Sequence, residues 1–228
     1  MKYTEGQKEA LQSYVDFGFK RINPILWGNV TNLLDGKCET LGDIHPKDKF
    51  DYIAKQVNRA MDIYESMRPL EQEKTLHRYG DVNNFTDIGE GDELSFKGFT
   101  SASTEEGKIS KLDKGIKFEI SLPKGTRVHD MTQVAAECNF KYSYDEEEIL
   151  IPPMSYKVSD IYESDDSKKM VKISGAGEEN VYVVILRALD GIKNFYPSYT
   201  GVHEKIDEII SAVKARMERI QGVVTSVN

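Results

Sequence analysis

The chain has 228 residues, 39% of them hydrophobic and 30% charged, with 38 acidic side chains against 30 basic ones. That length supports one large core or two small ones, in the composition of a folded globular protein. The net charge of -8 argues against a general binder of nucleic acid or of anionic membranes, and neither is expected as a partner. Cys38 and Cys138 lie far apart without metal-ligand spacing, so both are read as reduced and structural, and no metal is expected. The first ten residues are polar and show no charged-then-apolar leader. No apolar run approaches membrane-spanning length, and a cytoplasmic protein is the expectation.

In chain order, helical patterns come first. Leu11, Tyr14, Val15, Phe19 and Ile22 recur at helical spacing, and Gly18 favours a break into two short helices. Pro24 suits a turn or a first helical turn better than a helix interior. Trp27-Gly28-Asn29 then ends the segment. Residues 50–67 form a second helical pattern, closed by Pro69.

After Pro69 the pattern changes to strands and loops. Residues 75–79 read as a short strand containing Arg78, whose guanidinium needs an anion there. Residues 81–91, rich in Asn, Asp and Gly, read as a loop. Residues 96–104 read as a strand ending in small hydroxyl side chains, and residues 114–122 as a cleanly alternating strand before the turn Pro123-Lys124-Gly125. Residues 156–162, 170–173 and 181–189 read as further strands. Helices followed by a run of strands argue for an α+β domain over alternating βαβ units.

The most unusual stretch is Tyr142-Ser143-Tyr144-Asp145-Glu146-Glu147-Glu148-Ile149-Leu150-Ile151-Pro152. Four consecutive carboxylates run into three aliphatic residues, which read as a short buried strand that Pro152 terminates. Alternation sends Glu146 and Glu148 to one face, so two like charges project together from the strand's lip. Such a pair is costly unless something cationic is held between them. Beyond residue 195, Ile206, Ile209, Ile210, Val213, Met217 and Ile220 recur at helical spacing over about five turns. The domain reading is therefore 1–195, with an amphipathic helical extension over 196–228 that packs back on it.

An arginine on a strand, a Phe-x-Ser-x-Ser strand and a Glu-x-Glu strand lip, in that order, resemble the arginine–serine–glutamate class of mono-ADP-ribosyltransferases. The similarity is to the catalytic domains of clostridial binary toxins and Rho-modifying exoenzymes, with phage-encoded transferases as relatives. Gly98-Phe99-Thr100-Ser101-Ala102-Ser103 matches the family's Ser-Thr-Ser strand, with Ala102 in place of the middle threonine. Leu122-Pro123-Lys124-Gly125-Thr126 precedes the acidic block as in the toxins. Tyr14, Ile22, Asn23 and Leu26 resemble a helical element of the same toxins. Five ordered motifs are more specific than any one of them.

The resemblance implies a fold of N-terminal helices on a two-sheet β-sandwich, NAD+ as co-substrate, and a protein arginine as acceptor. It implies Arg78 as the pyrophosphate clamp and Glu148 as the carboxylate that stabilises an oxocarbenium-like ribose. Ser101 would orient Glu148, and Glu146 would hold and deprotonate the incoming guanidinium. Asn23 and Ser103 would complete the NAD+ site, and Tyr142 and Tyr144 would contact the target. Trp27 stands where the toxins carry a second arginine; it stacks on adenine or belongs to the core, and Lys111 or Lys114 would then supply the charge. Two other readings stand beside the transferase: an NAD glycohydrolase, and a binding module without activity on the same fold.

Overall fold

The computed structural model describes residues 2–28, 49–81, 85, 87–106, 115–140, 148–163, 169–195 and 200–225. Its helices are α1 (Glu5–Ser13), α2 (Phe19–Leu26), α3 (Lys49–Ser66), α4 (Met131–Cys138), α5 (Val181–Phe195) and α6 (Thr200–Thr225). Its strands are β1 (Arg68–Pro69), β2 (Lys74–Asp81), β3 (Glu93–Phe96), β4 (Thr100–Ser103), β5 (Gly115–Leu122), β6 (Arg127–Asp130), β7 (Glu148–Ile151), β8 (Met154–Glu163) and β9 (Lys169–Glu178). They fall into two compact units, Met1–Lys8 with Ser66–Glu179, and Glu9–Glu65 with Asn180–Asn228.

The first unit holds all nine strands and is organised on β5. Its alternation buries Ile116, Phe118, Ile120 and Leu122 and leaves the intervening residues half-buried, as a strand with one core face requires. β2 pairs antiparallel along one side of β5, and β9 pairs parallel along the other. Hydrogen bonding runs through the order β1-β6-β7-β4-β2-β5-β9-β8-β3. The α+β class is as expected, but the strands form one continuous sheet where two were expected. The join is narrow. Among the described residues, β2 and β4 share a single registered pair, His77 and Ser103, and that pair makes one sheet of two strand groups.

The core lies on one face of this sheet, where Leu76, Phe118, Ile149, Ile151, Tyr156 and Val171 are among the buried members. Each aliphatic or aromatic side chain so removed from water contributes about 1.5–3 kcal/mol. Short elements that the sequence reading missed frame this unit. β1 and β6 pair at the sheet edge, and α4 follows β6 directly. The Asp130 carboxylate accepts the Gln133 backbone N–H at 3.1 Å, and Asn139 closes the helix at φ 56°. The Asp-x-x-Gln spacing is a capping signature that could have found this helix. The same device starts α1, where Thr4 and Gln7 exchange reciprocal backbone-to-side-chain bonds of 2.9 and 3.2 Å.

The second unit is helical. Between α1 and α2 the expected break at Gly18 is a π-helical turn, Tyr14–Gly18. Pro24 sits inside α2, against expectation. The helix ends two residues later at Leu26, so the missing N–H removes a bond from the last turn only. α3 buries Ile53, Val57, Ala60, Met61 and Tyr64 at three- and four-residue intervals, matching its predicted stripe.

Residues 181–189, read as a strand, are helical. Their β-branched composition suits a strand, but Val181, Val184, Ile185, Ala188, Leu189 and Ile192 are buried at helical spacing while Val183 is 43% exposed. Asn180 caps the start, accepting the Tyr182 N–H on its side chain at 3.0 Å. Burial along a helical stripe overrides intrinsic strand preference here. α6 packs on α5 and buries Ile206, Ile209, Ile210 and Val213. At 26 residues it runs about seven turns, two more than its apolar pattern marks.

Candidate active site

Three adjacent strands, β7, β4 and β2, position the predicted site residues of the first unit. β7 is held by its aliphatic residues Ile149, Leu150 and Ile151, all buried, and the chain leaves the ladder at Pro152. That anchoring fixes Glu148 as the first residue of the strand, half-buried at its lip. The antiparallel register sets Ser103 opposite Glu148 and Ser101 opposite Leu150. Alternation therefore brings Ser101, Ser103 and Glu148 to one face, the face away from Ile149 and the core.

Ser103 is a node in this arrangement. It is 6% exposed, faces Glu148 on one side and pairs with His77 of β2 on the other. Its Oγ accepts the Glu105 backbone N–H at 3.0 Å, which turns the chain as β4 ends. His77 was not among the predicted site residues. A histidine in a strand next to Arg78 was the only signal available for it.

Arg78 follows His77 and starts from the opposite face, since its register partner on β5 is the core residue Phe118. Its Nη1 donates to the carbonyl of Ser101. The paired ladder between β2 and β4 stops at His77 and Ser103, so a side chain meets a strand carbonyl just past the pairing. Arg78 thereby reaches the strand that carries both serines. A guanidinium carries five donors in a fixed planar fork, the geometry that matches the oxygens of a carboxylate or phosphate.

Among the residues of the helical unit, Asn23 is buried and its carbonyl accepts the Trp27 N–H at 2.8 Å. Trp27 is 49% exposed, which rules out the core position considered for it. Glu146, Tyr142, Tyr144, Lys111 and Lys114 lie outside the described residues. No metal-holding group of three or more His, Cys, Asp or Glu side chains occurs among the described residues, and no helix among them is long and apolar enough to cross a membrane.

A separate cavity of about 640 Å³ opens beside β1 and β6, lined by Tyr3, Arg68, Lys74, His129, Gln133 and Ile149 among others. His129 is buried there between the Ser66 hydroxyl at 3.2 Å and the Tyr3 hydroxyl at 3.5 Å. Arg68 spans Glu137 with two bonds of 2.8 and 2.6 Å and lies over the Tyr3 ring.

Residues 1–176 match the model of the ADP-ribosyltransferase exoenzyme family. The chain belongs to that family. It is thus an enzyme that takes ADP-ribose from NAD+, its co-substrate. No curated protein matches it. Solved structures do. The catalytic domain of VahC from Aeromonas hydrophila is 18% identical over 75% of this chain and 98% of its own, with a TM-score of 0.55. An ADP-ribosyltransferase from Clostridium botulinum is 17% identical over 76% of this chain and 87% of its own, with a TM-score of 0.53. ADP-ribosyltransferase Vis is 16% identical over 77% and 74%, with a TM-score of 0.50. At these identities the likeness is one of fold. α5 and α6 lie beyond the family match.

Proposed function

We propose that this ADP-ribosyltransferase transfers ADP-ribose to an arginine side chain of a target protein and releases nicotinamide. The observation that carries the reading is the Glu146-x-Glu148 spacing at a strand lip whose second glutamate stands opposite Ser103. In the reaction the bond between nicotinamide nitrogen and ribose C1′ breaks, and its electron pair leaves with nicotinamide. Glu148 stabilises the positive charge that develops on the ribose, with Ser101 and Ser103 on the same face to orient it. Arg78 clamps the pyrophosphate through its planar fork of donors. Asn23 and Trp27 are assigned to NAD+ binding by the sequence pattern.

A guanidine nitrogen of the acceptor attacks C1′, and the proton it sheds passes to Glu146. A carboxylate at that position attracts and orients a cationic guanidinium, whereas an amide would only hydrogen-bond to it. The test is incubation of enzyme and isotopically labelled NAD+ with peptides containing arginine, asparagine or cysteine as the only modifiable residue, read by intact mass. Label on the arginine peptide alone is expected. Glu146→Gln should abolish that label while slow nicotinamide release continues. Equal loss of both activities would favour a glycohydrolase, and label on another residue would replace arginine as the acceptor.

A further inference from the structure

Three ties hold the short helix α4. It starts directly from β6 with its first turn capped by Asp130, and it buries Met131 and Val134 as it packs on β6 and β7. It closes at Asn139, where the left-handed backbone turns the Asn139 and Phe140 N–H groups back to the Ala135 carbonyl. The third tie comes from another element. Arg68 of β1 spans the Glu137 carboxylate with bonds of 2.8 and 2.6 Å, and Gln133 donates to the same carboxylate at 2.9 Å.

The bland account is a surface salt bridge. Both side chains are about a third exposed, and most pairs of that kind add little to stability because two long side chains must be ordered. This pair is better prepared. Its bidentate geometry fixes the plane of the carboxylate as well as its distance. The guanidinium is also braced from behind. It lies 5.2 Å from the centre of the Tyr3 ring, and Tyr3 is buried with its hydroxyl 3.5 Å from His129 of β6.

The chain leaves β6 at Asp130 and is back in the ladder at Ile149, the register partner of Asp130. Residues 131–148 are therefore one excursion between two paired positions. α4 is its outgoing limb, and Glu137 lies in the last turn of that limb. At the returning end, pairing with β4 holds Glu148 in place. Glu146 precedes that ladder by two residues, so the end of α4 sets the other boundary of the stretch that carries it.

We infer that Arg68 is a positioning residue for the acceptor step: through Glu137 it fixes the helix end from which the chain runs to Glu146. The inference rests on the reading of Glu146 as the residue that handles the guanidinium. Without the pin, the end of α4 shifts and Glu146 with it, while Glu148 stays in its strand. A shift of about 1 Å at a group that orients a nucleophile can cost up to about a hundredfold in rate. Cleavage of NAD+, assigned to Glu148 and Arg78, is spared.

The experiment is Arg68→Met in the full chain, assayed for label transfer to the arginine peptide and for nicotinamide release without acceptor. Both are measured at a temperature where melting curves show every variant folded. Transfer is expected to fall about tenfold, with nicotinamide release within about twofold of the parent. Glu137→Gln cuts the pin from the other side and should give the same split. The double variant should lose no more than either single one, since all three remove one interaction. Unchanged transfer overturns the inference, as do equal falls in both activities or losses that multiply in the double variant. Glu146→Gln, run beside these, separates the two readings. If it lowers transfer and release together, the role of Glu146 fails first and the inference with it. If it splits the activities and Arg68→Met does not, the inference alone falls.

Discussion

Ser103 on β4 and Glu148 on β7 stand directly opposite each other in an antiparallel ladder, with His77 of β2 registered on the other side of Ser103. Among the described residues this row crosses the narrowest join of the sheet, and the carboxylate at its end is held by a strand whose next three residues are buried. A half-buried carboxylate on a rigid strand loses less of its field to water than one on an exposed loop. That is the arrangement needed to stabilise a charge that exists only in the transition state.

Glu148→Gln keeps the shape and removes the charge. Nicotinamide release should fall by on the order of a hundred- to a thousandfold, as when an electrostatic contribution of this kind is lost. NAD+ binding and melting temperature should stay near those of the parent, measured by calorimetry and thermal unfolding. Retention of most of the activity would remove Glu148 from the chemistry.

The two serines test the row. The family pattern assigns the orienting role to Ser101, while the register puts Ser103 nearest to Glu148. Both lie on the carboxylate's face. Ser101→Ala keeps the backbone carbonyl that receives Arg78, so its effect reports the hydroxyl alone. Each alanine substitution is expected to lower kcat about tenfold, the scale of one hydrogen bond to a charged group. If both act through Glu148, the double variant should lose less than the product of the two. Multiplicative losses, or no loss at either serine, would separate the hydroxyls from the carboxylate.

The longer strands were legible where the sequence alternates without interruption, as in Gly115 to Leu122, and where Pro152 and Pro123 mark the end of pairing, while the short β1 and β6 carried too few residues to show a period. Continuity of the sheet was not legible. Among the described residues it depends on one pair between His77 and Ser103, and nothing local distinguishes a strand that bridges two groups from one at an edge. The misread α5 shows the opposite limit. Its run Val181-Tyr182-Val183-Val184-Ile185-Leu186 is apolar almost throughout, and periodicity cannot separate a strand from a helix in such a run. The cap at Asn180 was the missed clue. The sequence offered the candidate site residues only as an order along the chain, and the partnering of Ser103 with Glu148 needed the register.

Tyr3 gives a prediction about pH. Burial pushes its pKa up to about 12, and the nearby Arg68 charge opposes the shift without cancelling it. A raised pKa means that the folded state holds this proton more tightly than the unfolded chain. The stability so gained is fully present below about pH 10, the unfolded value. It is lost as pH rises from there through 12. Tyr3→Phe cannot ionise, so its melting temperature should fall less steeply across that window. Burial also raises the pKa of Tyr156 and of Tyr182, so some alkaline loss must remain. Parallel curves for the two proteins would show that Tyr3 ionises as freely folded as unfolded.

The last prediction concerns how α6 is held. Its apolar face is buried through Ile206, Ile209, Ile210 and Val213, and a charged clasp lies further along. Arg216 donates Nε and Nη2 to the two carboxylate oxygens of Glu65 at 2.6 and 2.8 Å, and Nη2 also to Asp62 at 2.5 Å. The Tyr182 hydroxyl donates to Glu65 as well, so α3, α5 and α6 meet at one carboxylate. Burial works against the charge of Arg216, but the bonds to Glu65 and Asp62 outweigh it and raise its pKa. All three ionic side chains are less than a quarter exposed, so this clasp is worth more than a surface pair. Arg216→Met keeps most of the side-chain volume and leaves two half-buried carboxylates facing each other. Breaking a largely buried pair from one side costs about 3 kcal/mol, or a melting temperature lower by about 8 °C for a chain of this size. Arg216→Lys should recover the charge and only part of the stability, because an ammonium cannot span Glu65 with two parallel bonds. Nicotinamide release measured well below the transition should not change, since α6 lies beyond the family match. A melting temperature unaffected by Arg216→Met would mean the apolar face alone holds the helix. Unchanged stability together with loss of protein modification would instead make α6 a surface that recognises the target.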